Sequence, residues 1–205
     1  MKSLGPMLAI LFVCVHNSDS TAPTKEIGKK IVEHYSSLPD SKKKPGGDCY
    51  VVAYERINKV VKAECGKSLP DLKAFKAFDR LWASKIDPKT SWKKLDEKFR
   101  GKGAAGAMSS MGMGDLVAKK EILEGKLKPG AVLQTWKKNS DYTNVKNGDK
   151  PESIGHSFIF LKYVKDSSGK ITGMKIADQG TSWAEPKTLN IAEFEYWVGA
   201  NLKCP

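Results

Sequence analysis

Cys49, His156 and Asp178 are the residues of this chain whose types and positions suit nucleophilic chemistry together. A thiol nucleophile needs a base that later returns its proton as an acid, and that base needs an orienting partner. Cys49 follows Gly46-Gly47-Asp48, a lead-in that allows a tight turn and a helix cap. The free N–H groups at a helix start carry partial positive charge, which favours a thiolate. Together with the N–H of the cysteine itself they form a ready oxyanion hole. Of the three histidines, His16 and His34 fall in the N-terminal stretch and the first expected helix. His156 follows Gly155 and opens the apolar run Ser157–Val164. Asp178 lies one hairpin further along. The path out on one strand, round the turn at 166–169 and back on the next puts it beside His156, where a carboxylate can hold the imidazole in the useful tautomer. Gln179 is the alternative for that orienting role. Each residue alone has an ordinary reading, the cysteine as a small buried apolar group and the histidine as a structural one. The case rests on their matched placement.

These residues require helices first and strands afterwards. Ile27, Ile31, Val32 and Tyr35 give residues 25–37 one apolar side and predict a short amphipathic helix. Residues 38–47 (LPDSKKKPGG) read as a turn-rich loop. A helix is expected from Cys49, with Val52, Ala53, Arg56, Ile57, Val60 and Val61 at three-four spacing and Gly66 ending it. Further helical segments are expected at 71–84, 91–99 and 115–125. Residues 101–114 (GKGAAGAMSSMGMG) read either as a flexible loop beside a site or as a tightly packed helix–loop junction, packing being favoured. After the Pro129-Gly130 turn, Ala131–Trp136 is a strand. Ser157–Val164 and Ile171–Ala177 are two strands joined by a hairpin turn at 166–169. A last strand or helix carries Phe194, Tyr196 and Trp197. The expected class is α+β, with N-terminal helices packed on a mainly antiparallel sheet.

The 205 residues carry a formal net charge of +12, which favours anionic partners such as acidic envelope polymers. The lysines are dispersed apart from Lys42-Lys43-Lys44, and there is neither zinc-finger spacing nor a recognition-helix signature, so nucleic acid is not expected as a partner. Residues 1–24 begin Met1-Lys2, carry the apolar run 7–15 and turn polar at His16, the layout of a signal or lipoprotein leader; a buried N-terminal strand is the other reading. The apolar run is too short to span a bilayer. One domain is expected over 25–205. If Cys14 belongs to a leader and Cys49 reacts, Cys65 and Cys204 remain, and an exported protein can join them. No metal-ligand spacing and no cofactor motif is found, so neither a metal nor a cofactor is expected.

Three segments resemble the bacterial cell-wall cysteine hydrolases of the NlpC and CHAP types. Gly47-Asp48-Cys49-Tyr50 with its apolar helix is similar to the family's nucleophile segment. Lys128-Pro129-Gly130-Ala131-Val132 followed by Trp136 resembles its P-x-G-D/A-hydrophobic strand, and Gly155-His156-Ser157-Phe158-Ile159-Phe160 its G-H-hydrophobic strand. The resemblance implies a papain-like core, with Cys49 as nucleophile, His156 as base and Asp178 as orienter, and residues 101–114 as an insertion. Asp48, Tyr50, Trp136 and Gln179, within or beside these segments, are the expected substrate contacts. The implied substrate is an amide or peptide bond of peptidoglycan, and the implied place is the cell envelope or the exterior. Some type VI secretion amidase effectors share this plan, which implies an antibacterial effector with a cognate immunity or inhibitor protein. Transglutaminase-like acyl transfer by the same triad, and a non-catalytic envelope-binding module on the same scaffold, are the alternatives.

Overall fold

The computed structural model describes residues 25–69 and 96–204. The expected helix at 71–84 and the N-terminal leader lie outside the described residues. Two helices come first, α1 (Gly28–Ser36) and α2 (Cys49–Cys65). Of the segment expected to be helical at 91–99, the described part is a single 3-10 turn, Glu97–Phe99. Then follow α3 (Gly103–Ser110), β1 (Gly114–Ala118), α4 (Lys119–Leu123), β2 (Val132–Trp136), α5 (Asn139–Asn147), β3 (His156–Lys165), β4 (Ile171–Ala177), β5 (Lys187–Asn190) and β6 (Tyr196–Leu202). The strands form one six-stranded sheet in the order β1-β6-β2-β3-β4-β5, with every pairing antiparallel. The architecture is α+β.

Strand periodicity explains how this sheet carries two apolar faces. Successive side chains point to opposite sides. Val132, Ile159, Ala177, Val198 and Ala200 pack with the apolar sides of α1, α2 and α3. Their neighbours Leu133, Phe158, Phe160, Ile176 and Trp197 face the other way, against Ile122 of α4 and Leu127. A sheet buried on both faces reads as near-continuous apolar runs, which is why Ser157–Val164 stands out in the sequence.

Several expectations need correction. Residues 115–125 are not one helix. They are β1 followed by the short α4, because Gly114–Ala118 finds backbone partners along β6, from Gly114 opposite Leu202 to Ala118 opposite Val198. Residues 101–114, by contrast, take the packed arrangement favoured over a flexible loop. The small side chains of α3 let it sit between α2 and the sheet, and Ala104, Ala105, Ala107 and Met108 are completely buried. Gly103 makes this approach possible. Its φ is +49°, and a Cβ there would lie 2.0 Å from Gln134 Oε1 and 2.9 Å from Ser157 Oγ. The last expected element resolves into a 3-10 turn, Ile191–Glu193, and β6. β5 and α5 were not anticipated.

The end of α2 is tied to the residues after β6. Cys65 and Cys204 form a disulfide across 139 positions, with Cα atoms 5.5 Å apart. Cys204 N–H also donates to the Lys25 carbonyl, 2.9 Å, so the start of the described chain, the end of α2 and the C-terminal strand close on one another.

Candidate active site

Gly46 and Gly47 take positive φ values of 71° and 81°, a conformation open to glycine and strained for other residues. They turn the chain into α2, whose first residue is Cys49. Asp48 occupies the N-cap position, but its exposed side chain makes no capping hydrogen bond. The expected cap is therefore backbone only, with Val52 N–H donating to the Asp48 carbonyl at 3.0 Å. No side chain of Asp48 competes for the N–H groups of Cys49 and Tyr50. Cys49 is the free cysteine among the described residues and is buried.

His156 begins β3 opposite Thr135 of β2, and Asp178 directly follows β4. The last β3–β4 pair is Ile159 with Ala177, which leaves both residues at the same end of the sheet. His156 Nε2 and Asp178 Oδ2 are 2.9 Å apart. The N-terminal end of α2 packs against this end of β3, where Ser157 N–H donates to Cys49 Sγ at 3.5 Å. With Nε2 held by Asp178, Nδ1 is the ring nitrogen left for the thiol.

Opposing forces act on this pair. Burial pulls the His156 imidazole down, but the hydrogen bond to Asp178 and the neighbouring Cys49 outweigh it and raise the pKa from 6.5 to about 9. Burial pushes the Asp178 carboxyl up, but His156, the Gly180 N–H and Thr181 outweigh it and bring the pKa from 3.8 to about 2. Gly180 N–H donates to Asp178 Oδ1 at 2.8 Å, and the Asp178 N–H donates to Thr181 Oγ1 at 2.8 Å. Asp178 is thus fixed by its own turn as a charged acceptor, and the positive form of His156 is favoured beside the sulfur.

The other expected contacts are distributed differently. Gln179 does not take the orienting role. Its carbonyl accepts from Gly46 N–H at 2.9 Å, joining the loop before Cys49 to the turn after Asp178. Tyr50 is buried against Tyr54, and burial raises its pKa. Trp136 is completely buried, packs with Val145, and donates its indole N–H to the Gly101 carbonyl at 2.8 Å. Tyr50 and Trp136 are core residues in this structure and offer a substrate no surface. Asp48 remains exposed next to Cys49.

Sequence reasoning missed three contributors. Ser157 supplies the N–H to the sulfur, and its hydroxyl donates to Gln134 Oε1 at 2.7 Å beneath α3. Gln134, completely buried, donates in turn to the Thr135 carbonyl at 2.9 Å and so braces the strand opposite His156. Arg56 donates to the Asp178 carbonyl at 3.5 Å. The sequence did carry one signal for it, a charged residue inside the apolar stripe of α2.

Among the described residues no helix is long and apolar enough to cross a membrane. No protein-family model, curated protein or solved structure matches this chain.

Proposed function

We propose that this protein is a cysteine amidase or peptidase on a papain-like scaffold, exported to act on amide bonds of bacterial cell-wall peptidoglycan. The observation that carries the reading is the line Asp178–His156–Cys49. A carboxylate grips one imidazole nitrogen at 2.9 Å, and a buried thiol at a helix start lies beside the same imidazole. The reaction needs no further group. The Cys49 sulfur attacks the amide carbonyl, and the oxyanion forms against backbone N–H groups at the start of α2. His156, protonated, gives its proton to the leaving amine as the C–N bond breaks. Water then attacks the thioester, losing a proton to His156, and the carboxylic acid leaves as the thiol is restored. Asp178 holds the ring orientation throughout and stays ionised.

Two further features support an extracellular or envelope setting. A disulfide such as Cys65–Cys204 persists in oxidising compartments. The net charge of +12 suits an anionic wall. As an antibacterial effector the protein would require a cognate immunity or inhibitor protein in its producer.

The test is digestion of purified peptidoglycan by the wild-type protein and by Cys49→Ala, with the fragments read by mass spectrometry. Fragments that appear with wild type alone identify the bond. Equal fragments from both proteins, or none from a folded wild type, defeat the proposal.

A further inference from the structure

The triad chemistry leaves one buried charge unused. Arg56 lies on the face of α2 about two turns beyond Cys49 and is only 7% exposed. A guanidinium has five N–H donors. The only hydrogen bond it makes among the described residues is the one to the Asp178 carbonyl, at 3.5 Å. No carboxylate makes an ion pair with it at contact distance among the described residues, and the charge of Asp178 acts on it from further off. Instead, two aromatic rings flank it. Its central carbon is 4.9 Å from the Trp183 ring centroid and 5.7 Å from that of Tyr35. A buried cation is costly unless it is paired, and a chain that keeps one this way holds a donor in reserve.

The reserve faces a cavity. A volume of about 360 Å³ is lined by Arg56, Tyr35, Trp183 and Val52, and by Gly47 and Asp48 immediately before the nucleophile. Arg56 is itself among the residues that line this space. The floor is therefore cationic and aromatic. The rim is mixed, with exposed Asp40, Asp48 and Glu55 set against Lys43 and Lys59. A mixed rim sets no strong field of one sign, so the guanidinium at the floor decides the preference for an anionic group. A planar guanidinium fork matches a carboxylate.

We propose that this cavity is a substrate subsite for one free carboxylate, read by Arg56. The inference rests on the hydrolase reading for its substrate and extends it to specificity. Arg56 is about 10 Å along the helix from Cys49. That is the span of about three residues of extended peptide, so the carboxylate read belongs to a residue at that remove from the bond attacked. A residue joined through its side-chain carboxyl keeps its α-carboxylate free within the chain and suits such a site, as does an acidic side chain or a C-terminus at that remove.

The experiment uses Cys49→Ala, which binds without turnover, and a peptidoglycan tetrapeptide stem as probe. Affinity is measured by calorimetry for the free peptide and for the same peptide with each carboxylate amidated in turn. One amidation is expected to weaken binding ten- to hundredfold, the range for a lost charge-assisted pair. Adding Arg56→Gln should remove that discrimination, and Arg56→Lys, which keeps charge without the fork, should restore part of it. Val52→Phe, one turn from Arg56 on the same helix face, fills the cavity and leaves the guanidinium and its charge in place. It should weaken the free peptide at least tenfold, and it stands in if Arg56→Gln fails to fold. Equal affinity for all the peptides, no binding at millimolar peptide, or discrimination that survives Arg56→Gln would overturn the inference. Hydrolysis and this preference are separable. Peptidoglycan cleavage by wild type with no effect of amidation removes the subsite and leaves the hydrolase. Arg56-dependent binding without cleavage does the reverse.

Discussion

Replacing Asp178 by Asn tests the centre of the mechanism, because the amide keeps an acceptor for His156 Nε2 and removes the charge. In the folded protein His156 titrates at about 9 against an ordinary 6.5. A raised imidazole contributes stability that is fully present below pH 6.5 and is lost as pH rises through about 9. At about 1.4 kcal/mol per pH unit this contribution is about 3 kcal/mol. Asp178 titrates at about 2 against 3.8, so its contribution is present above pH 3.8 and is lost as pH falls through about 2. That limb amounts to about 2 kcal/mol. Cys49 adds to the histidine limb, and Gly180 and Thr181 add to the aspartate limb, so the two figures are not additive, and the aspartate figure is the one that loss of the Asp178 charge removes. The side chains are 21% and 7% exposed, so solvent screens the pair only modestly. Asp178→Asn is therefore expected to cost about 2 kcal/mol near neutrality and to bring the His156 titration down by at least one pH unit. The assay is imidazole C–H chemical shift against pH, paired with urea unfolding from pH 5 to 10. Wild-type His156 titrating near 6.5, or an unchanged titration in Asp178→Asn, would refute the argument.

Three further outcomes are expected. Cys65→Ser with Cys204→Ser should lower stability by about 2–4 kcal/mol, since the bridge closes a loop of well over a hundred residues; an unchanged denaturation midpoint would contradict this. Gly103→Ala should destabilise by about 2 kcal/mol or more, because positive φ and the Gln134 side chain both oppose a Cβ there; a thermal melt that does not move would show that α3 is free to shift. Trp136→Ala should cost about 3–5 kcal/mol as a core truncation, while KM of the folded fraction stays at the wild-type value. A raised KM at unchanged stability would return Trp136 to the substrate-binding residues.

Much of the candidate site was legible because its parts are local. The Gly46-Gly47 turn sets where a helix can begin, so Cys49 at the first position of α2 follows from neighbours in sequence. The β3–β4 hairpin is also local, and pairing across a short turn brings His156 and Asp178 to one sheet end whatever the rest of the chain does. The orienting role stayed open between Asp178 and Gln179, because a one-residue difference at a strand end depends on the turn that follows. Here the Asp178 carboxylate accepts from Gly180 N–H, and the Gln179 carbonyl is taken by Gly46.

By itself, then, the sequence determined the α+β class, the helix start at the nucleophile and the hairpin that pairs base with carboxylate. All three are set by backbone preferences and by alternation over short spans. Only the tertiary structure decided what meets across long separations. Gly114–Ala118 reads as helical alone, and becomes a strand because β6 offers its free N–H and carbonyl groups. Residues 103–110 are core because Gly and Ala let helix and sheet approach, a property of the partner surface as much as of the segment. Tyr50 and Trp136 look available for binding until packing buries them. The Ser157 N–H reaches Cys49 Sγ across 108 positions, and Arg56 sits beneath Asp178 across 122. Periodicity shows which face of an element is apolar, and packing alone decides which other face it meets.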